Sequence, residues 1–237
     1  MLRHAGRAVP WWLVGTCSAL AWVLMAAVRY DPFVLWPLQG VAVGVVAAGV
    51  AWCLDEPAAA VVDAAPRSLA WRTGARWPGI ALVLGAWCLA VWQARDHLFG
   101  YPMIVLAQGW IAGLVALSWA TWRRAAGEAS PGSRAAIVVV ATTAVWALVR
   151  PAQTWVPVFP YADGGRYGDW TVSALLWAVA GVAAAVLLAA ALSESRRFRQ
   201  LSTRRSHRDR DLATREEGGV LLAVEPLPDE SVEHSDR

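Results

Sequence analysis

Six apolar runs, charged only at their ends, divide this sequence, and no soluble fold has a use for so many. They cover 11–29, 33–53, 78–94, 103–120, 135–150 and 171–192. A helix rises about 1.5 Å per residue, so a bilayer core of about 30 Å asks for roughly 20 apolar residues. The runs predict an all-α, polytopic membrane protein with six transmembrane helices. The first is longer than a signal-peptide core and lacks a small-x-small cleavage site, so it is read as a retained span. The fifth is the shortest, and Arg134 and Arg150 at its ends extend it by snorkelling. Tryptophan agrees with this solvent: most of the 16 Trp lie near the run ends, where amphipathic rings meet the membrane interface.

Charge placement tests the count. All 21 basic residues are arginine. With both termini inside, the inner segments 1–10, 54–77, 121–134 and 193–237 hold 17 of them, and Arg29, Arg95, Arg150 and Arg166 remain outside. That is the positive-inside pattern. Removing the fifth span would place the Arg-rich tail outside. The expected organisation is a short cytoplasmic N-terminus (1–10), a six-span domain (11–192) and a cytoplasmic tail (193–237), in the plasma membrane. Ser193–Arg210 is basic and suits anionic lipid. Residues 211–237 turn acidic, enclose the apolar island Gly219–Val224 and read as largely disordered. Without an aromatic surface beyond Phe198, nucleic acid is not an expected partner.

Several chemistries find no residues here. There is no lysine for a phosphate-cradling loop or a Schiff base. No H-E-x-x-H helix and no G-x-S-x-G elbow occurs, so no catalytic residue, metal ligand or cofactor is assigned. The runs carry no Asp, Glu or His away from their ends, as a proton relay would need. Cys17, Cys53 and Cys88 read as small apolar side chains. The polar groups inside runs are Gln39, Gln108, Thr142 and Thr143. They serve either interhelical hydrogen bonding, the more common use, or a substrate path. Gly40, Gly44 and Ala48 form a small-residue ladder on one helix face, and Gly109 and Gly113 form a shorter one. Arg95, Asp96 and His97, and loop residues Tyr161, Asp163, Arg166 and Asp169, are polar groups of outer loops.

The inner stretch Leu54–Trp77 interrupts the spans most. Asp55, Glu56 and Pro57 read as a helix start, with acidic residues at the positive end of the dipole and Pro in the first turn. Ala58, Val61, Val62 and Ala65 then share one face, Asp63 lies on the other, and Pro66 stops the helix before Arg67. Two to three turns are too few to stand alone in water. The helix needs a surface. Ser68 reads as the cap of a second short segment, 69–77.

The text DEPAAAVVDAAPRSLAWRTGAR, set between spans two and three of six, resembles the ABC-2-type exporter permeases of actinobacterial type. That resemblance implies a non-enzymatic permease subunit. The inner helix would be a coupling helix through which Asp55, Glu56, Pro57, Val61, Val62, Asp63, Pro66 and Arg67 contact a separate P-loop ATPase. It also implies pairing with itself or a homologous permease, and a hydrophobic outer element between spans five and six. Trp155, Phe159 and Tyr161 in 151–170 stand there. Gln39 and Gln108 are the candidate polar span residues. The alternative is a non-transporting membrane scaffold or assembly factor that docks partners on the inner helix and the basic tail.

Overall fold

A computed structural model describes residues 9–55, 69–128, 130–150, 155–160 and 170–193. Among them every regular element is helical: α1 (Trp11–Tyr30), α2 (Pro37–Trp52), α3 (Leu69–Gly74), α4 (Trp77–Ala94), α5 (Pro102–Ala125), α6 (Pro131–Ala144) and α7 (Trp170–Ser193). A 3-10 turn, Arg95–His97, extends α4, and a π turn, Val145–Val149, extends α6.

Proline sets most of the helix starts. Pro37, Pro78, Pro102 and Pro131 all stand at the first or second helical position. There the missing N–H has no partner to lose and the fixed φ suits the helix. Two boundaries therefore differ from the apolar runs. The second run begins at Phe33, but its helix begins at Pro37. Asp31 Oδ1 accepts the N–H groups of Phe33 (3.2 Å) and Val34 (3.1 Å), which holds 31–36 as a turn. The fifth run, short by hydropathy, gains Pro131–Arg134 as its first turn. With the π turn it reaches 19 residues, Pro131–Val149.

The loop expected over 121–134 shrinks from both sides, because α5 continues to Ala125. Arg123 and Arg124 suit the negative end of its dipole. Gly127, at φ 91°, ends it, and the N–H groups of Gly127 and Glu128 return to the carbonyls of Arg124 and Arg123. Glu128 then clamps the hairpin, receiving Arg123 Nε at 2.6 Å and lying 2.7 Å from Arg134 Nη1.

The central element is α2. It packs against α6, α1, α5 and α4, and every residue from Gln39 to Ala51 except Val41 is buried. Close approach explains this. A Cβ on Gly44 would run into the Thr143 hydroxyl, and one on Gly40 would lie 2.6 Å from Ala147 Cβ. The small-residue ladder is thus the seam between α2 and α6, as small residues allow in apolar surroundings. Likewise a Cβ on Gly109 would strike the Trp87 indole, whose N–H donates to the Leu106 carbonyl at 3.1 Å.

Among the described residues, five helices are long and apolar enough to cross a membrane: Trp11–Tyr30, Trp77–His97, Pro102–Ala125, Pro131–Val149 and Trp170–Ser193. With 16 residues, α2 is shorter, about 24 Å at the usual rise. Enclosed by protein, it can end in irregular backbone that lipid contact would forbid. The outer surface is apolar, with Val23, Leu89, Trp92, Ile137, Leu175, Val179 and Val182 exposed. Such a surface fits a multi-pass membrane protein.

Candidate functional site

Polar atoms meet at two places, one inside the bundle and one at the end where α2 stops and α6 starts.

The interior site joins α2, α5, α7 and the segment 155–160. Gln39 and Gln108 are each only 1% exposed, and Gln39 Nε2 donates to Gln108 Oε1 at 2.6 Å. Gln108 Nε2 then donates to Ser173 Oγ (3.4 Å) and, at 3.5 Å, to the Val158 carbonyl. Two further donors reach that same oxygen, Ser173 Oγ and Trp177 Nε1, both at 3.0 Å. Three side chains on two helices thus converge on one backbone oxygen of a third element.

The segment that supplies this oxygen is expected, from the resemblance, to be an outer element. Its second half turns into the bundle. Trp155 is 85% exposed, whereas Pro157, Phe159 and Pro160 are buried. Prolines make this tolerable, since Pro157 and Pro160 have no N–H to satisfy. The Val158 N–H closes a tight turn on the Val156 carbonyl at 2.9 Å. The Pro160 carbonyl accepts Trp36 Nε1, also at 2.9 Å. Phe159 fills the space left by the missing side chain of Gly40, where a Cβ would be 3.1 Å from its ring, and leans on Trp177 at 5.8 Å. Around Trp36 this end of the bundle is aromatic: Phe99 lies edge-on at 4.9 Å, Trp170 at 5.8 Å, and Tyr101 stacks on Trp170 at 4.4 Å.

The second site is built on Asp55. Its carboxylate accepts the N–H of Gly132 (2.6 Å), the N–H of Ser133 (2.9 Å) and the Ser133 hydroxyl. These are the first donors of α6, which lack partners within their own helix. Asp55 therefore caps α6 from a different helix, placing negative charge at the positive end of the dipole. The carboxylate read as opening an inner helix, and as an ATPase contact, is half-buried at the bundle end and bonded to the start of α6. A Cβ on Gly132 would strike the Ala51 carbonyl and lie 2.8 Å from Asp55 Oδ1, so only glycine allows the approach.

Of the other residues singled out in the sequence, Glu56, Pro57, Val61, Val62, Asp63, Pro66, Arg67 and Tyr161 lie outside the described residues, as does the tail. Gln39 and Gln108 follow the interhelical reading. Thr143 instead returns its hydroxyl to the Val139 carbonyl of its own helix (2.8 Å), and Thr142 is exposed. Arg95 pairs with Asp96 at 3.5 Å and lies over the Trp92 ring at 4.1 Å. Cys17 and Cys53 are buried free thiols, Cys88 is half-buried, and no group of three metal-ligating side chains forms among the described residues. Ser173, Trp177, Trp36 and Ser133 escaped the sequence reading. An indole or hydroxyl in an apolar run is ordinary, and only the fold gives it a carbonyl to bind.

The chain matches no family model, no curated protein and no solved structure.

Proposed function

We propose that this chain is a plasma-membrane protein of six spans, α2 included, with both termini in the cytoplasm. In this reading it is the permease subunit of an ATP-driven, ABC-type exporter, and a separate P-loop ATPase docks on the stretch that begins at Asp55. The arginine distribution supports the topology. One observation carries the functional reading: Asp55, the first residue of that stretch, is bonded to the start of α6. A displacement of the stretch by an ATPase would be felt first at the α6 N-terminus. From there it would pass along the α2–α6 seam, where Gly44 meets Thr143, to the interior site. This is a mechanical path from an inner docking surface to the bundle interior, with no ATP chemistry of the chain's own. Two copies, or this chain and a homologue, would form the complete pathway, and alternating access would follow from rigid-body shifts of the helices.

A membrane scaffold or assembly factor is the second reading. The tight enclosure of α2 favours it, because a packed centre resists the rearrangement that transport requires.

Affinity purification from native membranes separates the two. The permease reading predicts recovery of a P-loop ATPase, lost when Glu56 and Asp63 are both replaced by alanine and kept when 211–237 is deleted. Recovery of other membrane partners without any ATPase would support the scaffold and sink the permease.

A further inference from the structure

Three donors converging on one carbonyl oxygen are more than a carbonyl needs, since its two lone pairs are met by two. The donors also belong to regular helices, α5 and α7, and the acceptor to an irregular segment laid between them. From this we propose that Gln108, Ser173 and Trp177 form a recognition site for a peptide carbonyl, and that the chain's own segment 155–160 occupies it in place of a ligand. The ligand class is then an uncharged, apolar peptide, turned at the residue that gives the bound carbonyl and with an aromatic or aliphatic residue after it.

Each part of that specificity has a counterpart in the way 155–160 is held. The oxygen goes to Ser173 Oγ and Trp177 Nε1 at 3.0 Å and to Gln108 Nε2 at 3.5 Å. The following side chain, Phe159, enters the notch over Gly40 and meets the Trp177 ring at 5.8 Å. Two residues beyond Val158, the Pro160 carbonyl takes the Trp36 N–H at 2.9 Å. Carbonyl, side chain and second carbonyl, read in turn along a backbone bent at Val158, are the elements of peptide recognition. None of these groups is charged, so a charged side chain would be desolvated here without a partner.

Upstream of the segment, the residue that ends α6 is in a left-handed conformation. It follows the π turn Val145–Val149, where the Arg150 N–H reaches back to the Val145 carbonyl, and Arg150 stands at φ 55° and ψ 49°. A left-handed arginine directly before a proline is disfavoured, so an extended Arg150 would relieve strain as the segment withdraws. In the filled state a competing peptide meets only the small fraction of open molecules, and its apparent affinity falls by that fraction.

This inference rests on the exporter reading for its purpose, but its test contains no ATPase, so each stands or falls separately. The full chain, purified alone in nanodiscs, is titrated with a fluorescent acetyl-Trp-Val-Pro-Val-Phe-Pro amide and followed by anisotropy. In the control peptide an (E)-alkene replaces the Val–Phe amide, which keeps the shape and neutrality and removes the oxygen. Two variants loosen the segment and leave the recognising donors intact: Phe159→Ala empties the notch, and Phe159→Asp places an unpartnered charge in it. We expect each to bind the peptide at least tenfold more tightly than the parent chain. The control peptide should gain nothing, and adding Ser173→Ala and Gln108→Leu should abolish the gain. Unchanged or absent binding in both loosened variants overturns the proposal. So does tightening that survives loss of the oxygen or of Ser173 and Gln108, because the three donors would then serve only to satisfy buried backbone.

Discussion

Replacing Asp55 by alanine strikes a side chain that ties the end of α2 to the start of α6. The Gly132 N–H (2.6 Å), the Ser133 N–H (2.9 Å) and the Ser133 hydroxyl all lose their acceptor. A lost N-cap costs about 0.5–2 kcal/mol, typically near 1. The charge on the α6 dipole is worth about 0.3–1 kcal/mol at a surface and up to ~2 where partly buried. Asp55→Ala should therefore cost about 2 kcal/mol. Asp55→Asn keeps an acceptor but loses the charge, and should cost about 1 kcal/mol. The assay is reversible unfolding in mixed micelles by added SDS, read by the fluorescence of the 16 tryptophans. Ser133→Ala gives an internal check. Alone it should cost about 0.5–1 kcal/mol, and after Asp55→Ala almost nothing, since both changes remove the same bond. Asp55→Ala within ~0.3 kcal/mol of the parent, or additive costs for the pair, would refute the cap, because independent sites add to about that precision.

Glycine substitutions on the helices should divide by what a Cβ meets. Gly44→Ala, which meets the Thr143 hydroxyl, should cost about 1–3 kcal/mol, and Thr143→Ala should recover much of it in the same unfolding assay. Gly85→Ala meets nothing within 4 Å and should gain up to ~1 kcal/mol from helix propensity. Gln39→Leu leaves Gln108 Oε1 without its 2.6 Å donor and should cost about 1–2 kcal/mol, while the Gln39→Leu, Gln108→Leu pair should cost less than the two single changes together. Thiol labelling of the folded chain in detergent should modify Cys88 and spare Cys17 and Cys53 until unfolding, because only Cys88 has exposed surface.

Much of the architecture was legible because the membrane imposes few rules. Apolar length named the helices, and proline named where they start, more sharply than hydropathy did: α2 begins at Pro37, not Phe33, and α6 at Pro131, not Ala135. The central place of α2 was written less openly. Its Gly40, Gly44 and Ala48 ladder was visible, but Ala42 and Gly49 line the opposite face, where Gly49 meets Cys17 of α1 and Val83 of α4, and a helix that is small and apolar all round is one that others can surround. The interior site was half legible. Glutamine in an apolar run is conspicuous, which singled out Gln39 and Gln108. The Val158 carbonyl belongs to every residue type alike, so the partner that joins Gln108, Ser173 and Trp177 carries no signal in the sequence. The pair Pro157 and Pro160 is the one hint, since a segment with fewer N–H groups is easier to bury. For Asp55 the rule names a carboxylate at a helix start but not which helix: the start it is seen to bond is that of α6, at Pro131, and the inner helix expected over 57–65 lies outside the described residues.

Whether α2 crosses the bilayer decides on which side the stretch beginning at Asp55 lies, and with it the ATPase-docking reading. Single cysteines placed in a chain whose three native cysteines are replaced by alanine, labelled in intact cells with a membrane-impermeant maleimide, measure this directly. The six-span account predicts labelling from outside at positions 97 and 155, and at positions 60, 128 and 230 only after the membrane is opened. Labelling of position 60 in intact cells would contradict it.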